Sequence, residues 1–378
     1  MKIGIVTEYF PRSEKFEIRG GAEGCAFNEA LYLSKNHDVI VLTSREKGMP
    51  PSYKIGKIKV ITCGLERKYT QSGSFFKRII FMIDAYLKSR KFDFDIVIGY
   101  NFITHSIAWL ISKSKGIPVV ARYHDVWIGE WTKNIGISGI FGEFLERFNL
   151  SRNFDAIFAV SNYTKNKLKK YADSNKIEVI PNIVDINVPE VDKSNNPTIV
   201  CVSRLVKYKR VEDLIRAIHI IKKDIPNIRC KIVGTGPMLN YLKELTKKLN
   251  IEKNIEFCGF IEKHEDVLKI IKSAHVFCIP SIVEGFGIVV IEAMGCQVPF
   301  VATKIPAIVE STGMKGGLFF KPTDYVDLAN KIKKILTNKR LYTKLKKECK
   351  DKYKEYSRDN IGKILEMKLK EILSKPKK

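Results

Sequence analysis

The sequence contains no run of eighteen uncharged apolar residues, so a membrane-spanning helix is not expected. Its eight cysteines stand singly, mostly inside apolar runs such as "IVCVS", "RCKIV" and "VFCIP". With no CxxC pair, neither a zinc ribbon nor a disulfide framework is indicated, and buried free thiols in a reducing compartment are expected. The six histidines are dispersed without metal-ligand spacing. Ser161 and Ser203 lack the context of a hydrolase nucleophile. "DFD" at 93–95 looks like a metal-binding acidic pair, but it precedes the strand "IVIGY", the wrong end for a site, and reads as a loop. The opening "MKIGIVTEYFPRSEK" is a short strand-like run broken by Glu8 and Pro11. It lacks a signal-peptide pattern, so a cytoplasmic location is expected.

Negative charge is also scarce. Asp and Glu number 41 against 66 Lys and Arg, for a formal charge of +25. Residues 331–378 hold 18 Lys and Arg against 6 Asp and Glu. Such an excess suits an anionic partner, whether a membrane surface, nucleic acid or a phosphorylated substrate. Solvated faces on lysine-rich helices account for it equally. No RNP-like aromatic motif, zinc finger or heptad-bearing basic region accompanies it, so nucleic acid is not the expected partner.

What is present is alternation. At 378 residues the chain suits two domains. Short β-branched runs alternate with longer amphipathic segments, the pattern of parallel α/β architecture. Strands are expected at "KIGIVTEY", "DVIVLTS", "KIKVITC", "DIVIGYN", "PVVARYHD", "DAIFAVS" and "IEVIPNI" in residues 1–185. A polar, proline-bearing linker over 186–197 follows. The alternation then restarts over 198–357 with "TIVCVSR", "RCKIVGTG", "NIEFCGF", "HVFCIPS", "PFVATK" and "GGLFF". The last segment, 358–378, reads as a helix and basic tail. Two doubly wound domains place a cleft between the carboxyl ends of their sheets, and ligands in such folds bind where loops follow strands.

Four clusters stand at such places. In "PSIVEGFGIVVIEAMG", Glu284 follows a strand, Gly285 and Gly287 flank Phe286, and a helix begins near Ile288 and Val289. Glycines let the backbone approach a ligand, and a helix start offers free N–H groups. Glu292 sits on an otherwise apolar helix and needs donors, which ribose hydroxyls would supply; a helix-start carboxylate and a partly exposed polar position are the plainer explanations. In "CVSRLVKYKRVEDL", Arg204 and Lys209 would stabilise a departing diphosphate, or are surface cations. Gly20 and Gly21 open a helix after the first strand, and Gly234 in "VGTGP" makes a similar turn; either is weak alone. His124 in "VVARYHDVW" ends a strand beside Asp125, placed to hydrogen-bond a substrate, to act as a base, or to be purely structural.

Taken in order, "GGAE", "HDVIVLT", "HD", "VSNYTK", "VIPNIVD", "SRLVKYK", "VGTGP", "FCGF" and "EGFGIVVIEAMGCQVPFVAT" resemble the large retaining glycosyltransferase family 4. The resemblance covers nearly the whole chain. It implies the GT-B fold, two Rossmann-like domains about a central cleft with the C-terminal helix returning to the N-terminal domain. By the resemblance, Glu284 meets the donor sugar's hydroxyls and Glu292 the nucleotide ribose, while Arg204 and Lys209 neutralise the diphosphate. Gly285, Phe286, Gly287, Ile288 and Val289 hold phosphate and sugar. Gly20 and Gly21 approach the phosphates from the first domain, His124 touches the transferred sugar, and Gly234 and Ile261 border the base. It further implies a nucleotide-sugar donor, an acceptor hydroxyl on a glycan or lipid-linked glycan, and no metal or other cofactor. A GT-B nucleotide-sugar epimerase or phosphorylase is the alternative, and behind it a basic nucleic-acid-binding protein. The sequence departs from the pattern in three places: Arg210 stands where many members have glycine, "GCQVP" replaces Cys-Gly-x-Pro, and Ala307 stands where a glutamate is frequent.

One helix bears on the acceptor. Over 74–91, Phe76, Ile79, Ile80, Ile83 and Leu87 share one face, and Lys77, Phe81, Lys88 and Lys91 another. The apolar stripe is expected to pack on the first sheet. The basic face with its Phe would suit an interface-bound helix, and with the basic C-terminal segment it suggests peripheral docking on anionic lipid.

Overall fold

The computed structural model describes residues 1–13, 20–67, 75–187 and 190–375. Residue 74 of the expected helix 74–91, residues 188–189 of the linker and the tail at 376–378 lie outside the described residues. The chain forms two compact units, Met1–Ile183 with Ser357–Lys378, and Val184–Tyr356.

The first unit is built on eight strands: β1 (Lys2–Val6), β2 (Asp38–Glu46), β3 (Ser52–Ile55), β4 (Ile58–Arg67), β5 (Ile96–Gly99), β6 (Val119–Tyr123), β7 (Ala156–Ala159) and β8 (Ile177–Val179). Their order is β3-β4-β2-β1-β5-β6-β7-β8, parallel except for the β3–β4 hairpin. Strands such as "IVIG" are buried residue for residue, because helices cover both faces of a parallel sheet. On one face lie the helices Gly21–Leu33 and Arg358–Ser374, the latter inserting Ile361, Leu365, Leu369 and Ile372 into the core. The hairpin strand β3 is not anticipated by the sequence pattern; it is a four-residue edge strand behind Pro50 and Pro51.

On the other face lie helices Phe75–Ser89, Phe102–Lys115 and Gly139–Leu150. Here one expectation is reversed. Phe81 and Ala85 are buried, while Phe76, Ile79, Ile83 and Leu87 are exposed. Gly64 explains the choice: a Cβ there would lie 2.8 Å from the Phe81 backbone. The helix is therefore drawn against the sheet along its Phe81–Ala85 line, where a glycine and a small side chain permit close approach. The apolar stripe turns outward.

The second unit holds six parallel strands: β9 (Thr198–Val202), β10 (Arg229–Val233), β11 (Ile255–Gly259), β12 (Val276–Ile279), β13 (Phe300–Thr303) and β14 (Gly317–Phe320). Their order is β11-β10-β9-β12-β13-β14. Succession reverses between β9 and β12, so their carboxyl ends mark the point at which ligands bind in doubly wound sheets. The loop after β9 carries Arg204 and Lys209; the loop after β12 carries Glu284. Helix Pro306–Thr312, unassigned from the sequence, contains the buried Ala307. The closing helix is Arg358–Ser374, capped by Ser357, and a separate helix, Lys339–Tyr353, precedes it.

Candidate functional site

The loop after β9 is held in place by glycines. Ser203 N–H donates to Val233 O and Leu205 N–H to Thr235 O. A Cβ on Gly234 would lie 1.9 Å from Ser203 O, and one on Gly236 2.4 Å from Leu205 O. Both glycines of "VGTGP" thus serve the close passage of two loops. Gly234 N–H also donates to Gly259 O at 2.8 Å, bringing its turn to the segment that leads to Ile261.

Ile282 N–H donates to Tyr208 O at 3.0 Å, tying the β9 and β12 loops together. That bond sets the central contact. Lys209 Nζ lies 2.5 Å from Glu284 Oε1, both side chains largely buried. Arg204 is exposed and donates through Nη2 to Tyr208 Oη at 2.6 Å. The Arg204 guanidinium lies 6.0 Å and Lys209 Nζ 5.6 Å from the centroid of the Tyr208 ring. Tyr208, not singled out from the sequence, spaces the two cations. Four cations fall within 204–210, a concentration of positive charge that suits an anion.

After Glu284 the chain turns at Gly287, whose φ of +82° is left-handed and whose Cβ would meet Ile308 Cδ1 at 2.2 Å. Helix Ile288–Gly295 begins there with its first N–H groups unused within the helix. The Phe286 ring is buried edge-on against Tyr356, 5.4 Å between centroids, so what it presents elsewhere is backbone. Ser281 Oγ, buried at the end of β12, has no partner among the described residues.

Glu292 is buried, and His264 Nε2 lies 2.9 Å from its Oε1. Burial lowers the His264 pKa, but the charge and hydrogen bond of Glu292 outweigh it, and the net direction is upward. His264 opens helix His264–Ser273, the next element after β11. Sequence spacing does not reveal the pair, since 28 positions separate the partners and no local pattern links them.

Gly20, Gly21 and His124 belong to the first unit. Gly20 is the N-cap of helix Gly21–Leu33, in extended conformation (φ −157°). His124 follows β6 with its Nε2 buried and unpartnered among the described residues. Burial, then the Arg122 and His105 charges, push its pKa down to about 3. At neutral pH it is an uncharged ring with a nitrogen to offer, suited to a hydrogen bond rather than to proton abstraction. Beside it Asp125 accepts from Lys167 Nζ at 2.8 Å and from Trp127 Nε1 at 3.0 Å. Arg122 is fully buried, bridging Glu29 Oε1 at 2.8 Å and Ile180 O at 2.6 Å. Among the described residues no three His, Cys, Asp or Glu side chains form a group able to hold a metal ion.

Residues 185–352 match the family "Glycosyl transferases group 1", and residues 19–188 match "Glycosyltransferase Family 4". The chain belongs to these glycosyltransferases. An uncharacterized glycosyltransferase of Methanocaldococcus jannaschii is 26% identical to this transferase over 96% of each chain. The gpi3 subunit of phosphatidylinositol N-acetylglucosaminyltransferase of Schizosaccharomyces pombe is 26% identical over 88% of this transferase and 72% of its own length. Among solved structures, sucrose-phosphate synthase from Thermosynechococcus elongatus superposes with a TM-score of 0.83 at 17% identity, covering 99% of both chains. Anabaena HepE in complex with UDP-glucose gives 0.74 at 18% identity, covering 98% of this transferase and all of that chain. The fold is GT-B, with two Rossmann-like parallel-sheet domains, as the resemblance implied.

Proposed function

We propose that this transferase moves a sugar from a nucleoside-diphosphate sugar to an acceptor hydroxyl, with retention of anomeric configuration. The observation that carries the reading is the Lys209–Glu284 contact at the β9/β12 switch point, beside the start of helix Ile288–Gly295. An ammonium shared between a carboxylate and an incoming phosphate can hold a diphosphate while the carboxylate faces the sugar it carries. Arg204 and Lys209 stabilise the negative charge that develops on the departing phosphate oxygen. The N–H groups at Gly287, Ile288 and Val289 bind phosphate and sugar. Glu292, oriented by His264, accepts from the ribose hydroxyls, and Gly234 and Ile261 border the base.

The acceptor oxygen bonds to the anomeric carbon on the face from which the carbon–phosphate-oxygen bond breaks. The acceptor's proton passes to the leaving phosphate oxygen. Neither covalent adduct nor metal is required in this scheme, since the charge is met by Arg204 and Lys209. The named lipid acceptor of the fission-yeast relative, phosphatidylinositol, supports a glycan or lipid-linked acceptor, and the UDP-glucose complex of HepE supports a nucleotide-sugar donor.

Incubating the purified protein with a panel of UDP-, GDP- and ADP-sugars tests the proposal, through donor hydrolysis or protection against thermal unfolding. The expected product keeps the donor's anomeric configuration by NMR, with EDTA present. Inverted product would remove the retaining mechanism, and donor turnover to an isomer without an acceptor would favour an epimerase.

A further inference from the structure

The outward surface of the first unit's helical layer is apolar to a degree that its own core does not explain. Helices Phe75–Ser89, Phe102–Lys115 and Gly139–Leu150 lie side by side on one sheet face, and their inward residues form a single core. Outward, the first helix exposes Phe76 (70%), Ile79, Ile83 and Leu87, at helical spacing. The middle helix exposes Leu110. The third exposes Ile140, Phe144 (66%) and Phe148, with Ile137 (86%) just ahead of it. Phe144 and Phe148 stack at 6.5 Å between centroids, and Arg152 stands 4.3 Å over the Phe148 ring. Scattered surface hydrophobics need no account; rows of Phe and Ile on adjacent helices do.

The rim of this surface is cationic. Lys77, Arg90, Lys91, Lys113 and Lys133 are exposed at or beside the helix ends. The acidic groups on the outer turns are each matched by a cation, Asp84 by Lys88 at 2.8 Å and Glu143 by Arg147 at 2.6 Å. A second copy packed about a twofold axis would set this rim against itself, like charge on like. A nucleic acid would leave the phenylalanines against phosphate. An anionic bilayer surface satisfies both parts, since headgroups meet the lysines while Phe and Ile enter the acyl boundary.

We infer that the layer formed by these three helices is a docking surface for acidic phospholipid membranes. The surface belongs to the stripe that the sequence assigned to the core, and it includes a third helix that the sequence did not implicate. Its occupancy is measurable without any sugar, so it stands or falls apart from the proposed donor chemistry.

The experiment is vesicle co-sedimentation of the full chain, with phosphatidylglycerol–phosphatidylcholine vesicles against phosphatidylcholine alone. Wild type is expected to bind the acidic vesicles. The combined variant Phe76→Ser, Ile83→Ser, Phe144→Ser should bind about tenfold more weakly or worse. As a check independent of that variant's folding, Phe144→Trp should show quenching by brominated acyl chains beyond that of wild type, whose Trp109, Trp127 and Trp131 set the baseline. Absence of binding at low salt, binding that survives the triple substitution, or quenching no greater than that of wild type on bound protein would each overturn the inference. So would a dimer in sedimentation velocity that the triple variant dissolves, which would assign the face to a second copy.

Discussion

Lys209 Nζ and Glu284 Oε1 meet at 2.5 Å across 75 positions of sequence, held there by the Tyr208–Ile282 backbone bond between two strand-end loops. Removing one member of such a pair leaves the other charge largely buried and uncompensated. Glu284→Gln should therefore lower kcat by about 10²–10³-fold, the range for a lost electrostatic contact in a transition state. Wild-type transfer by that variant would show that the reacting centre lies elsewhere.

Glu292 is expected to act on binding, not turnover. Losing a charged hydrogen bond of about 1.5–3 kcal/mol, Glu292→Ala should raise the donor Kd roughly 10–100-fold while kcat at saturating donor stays nearly unchanged. The His264 pKa is raised, so the pair's contribution to stability is present in full below the ordinary value of 6.5. It is lost as pH rises through the elevated value. Thermal melts across neutral pH should show that loss in wild type and not in His264→Gln.

His105 titrates in the opposite sense. Burial pushes its pKa down to about 4, against the weaker effect of its bonds to backbone, which include one from its Nε2 to Arg122 O at 3.1 Å. Between that value and 6.5 the unfolded chain takes up a proton that the folded chain refuses, so stability falls as pH falls. Glu146, raised to about 7 by burial despite its indole and backbone donors, pulls the other way above its ordinary 4.5. The comparison with His105→Gln isolates the histidine. The variant should gain on wild type by about 1.4 kcal/mol per pH unit between pH 6.5 and 4, read from denaturant midpoints at each pH.

Gln297 holds φ +57° in the turn after helix Ile288–Gly295. Left-handed backbone costs a side-chain-bearing residue about 1–2 kcal/mol, partly offset by glycine's larger unfolded-state entropy. Gln297→Gly should stabilise the protein by about 0.5–1 kcal/mol, seen as a raised Tm. Arg210, at φ +51°, should not behave alike. Its guanidinium pairs with Asp213 at 2.7 Å and Glu212 at 2.9 Å, so glycine there gives up what it gains.

These two residues show how far the sequence could be read. That Arg210 and Gln297 replace glycines of the family pattern was visible in the sequence, and the left-handed backbone at both is its physical reason. The parallel strands of both sheets were legible because, buried on both faces, they are largely apolar; the antiparallel edge strand β3 was not. Gly287 and the helix it opens were legible from Gly-Phe-Gly after a strand. Tyr208 and His264 were not, because each acts through a partner that the topology, not local spacing, brings near. Nor was the orientation of helix Phe75–Ser89. Periodicity finds two faces, but only Gly64 on a neighbouring strand decides that Phe81 goes inward.

The most direct measurement is calorimetric titration of UDP, GDP and ADP into wild type, Lys209→Ala and Arg204→Ala, with EDTA in every sample. One nucleoside diphosphate should bind wild type. Its affinity should fall at least about tenfold in each variant, as expected when a charge-assisted hydrogen bond to phosphate is lost. If none of the three binds, or if binding survives both substitutions unchanged, the β9/β12 loops are not the diphosphate site and the account fails at its centre.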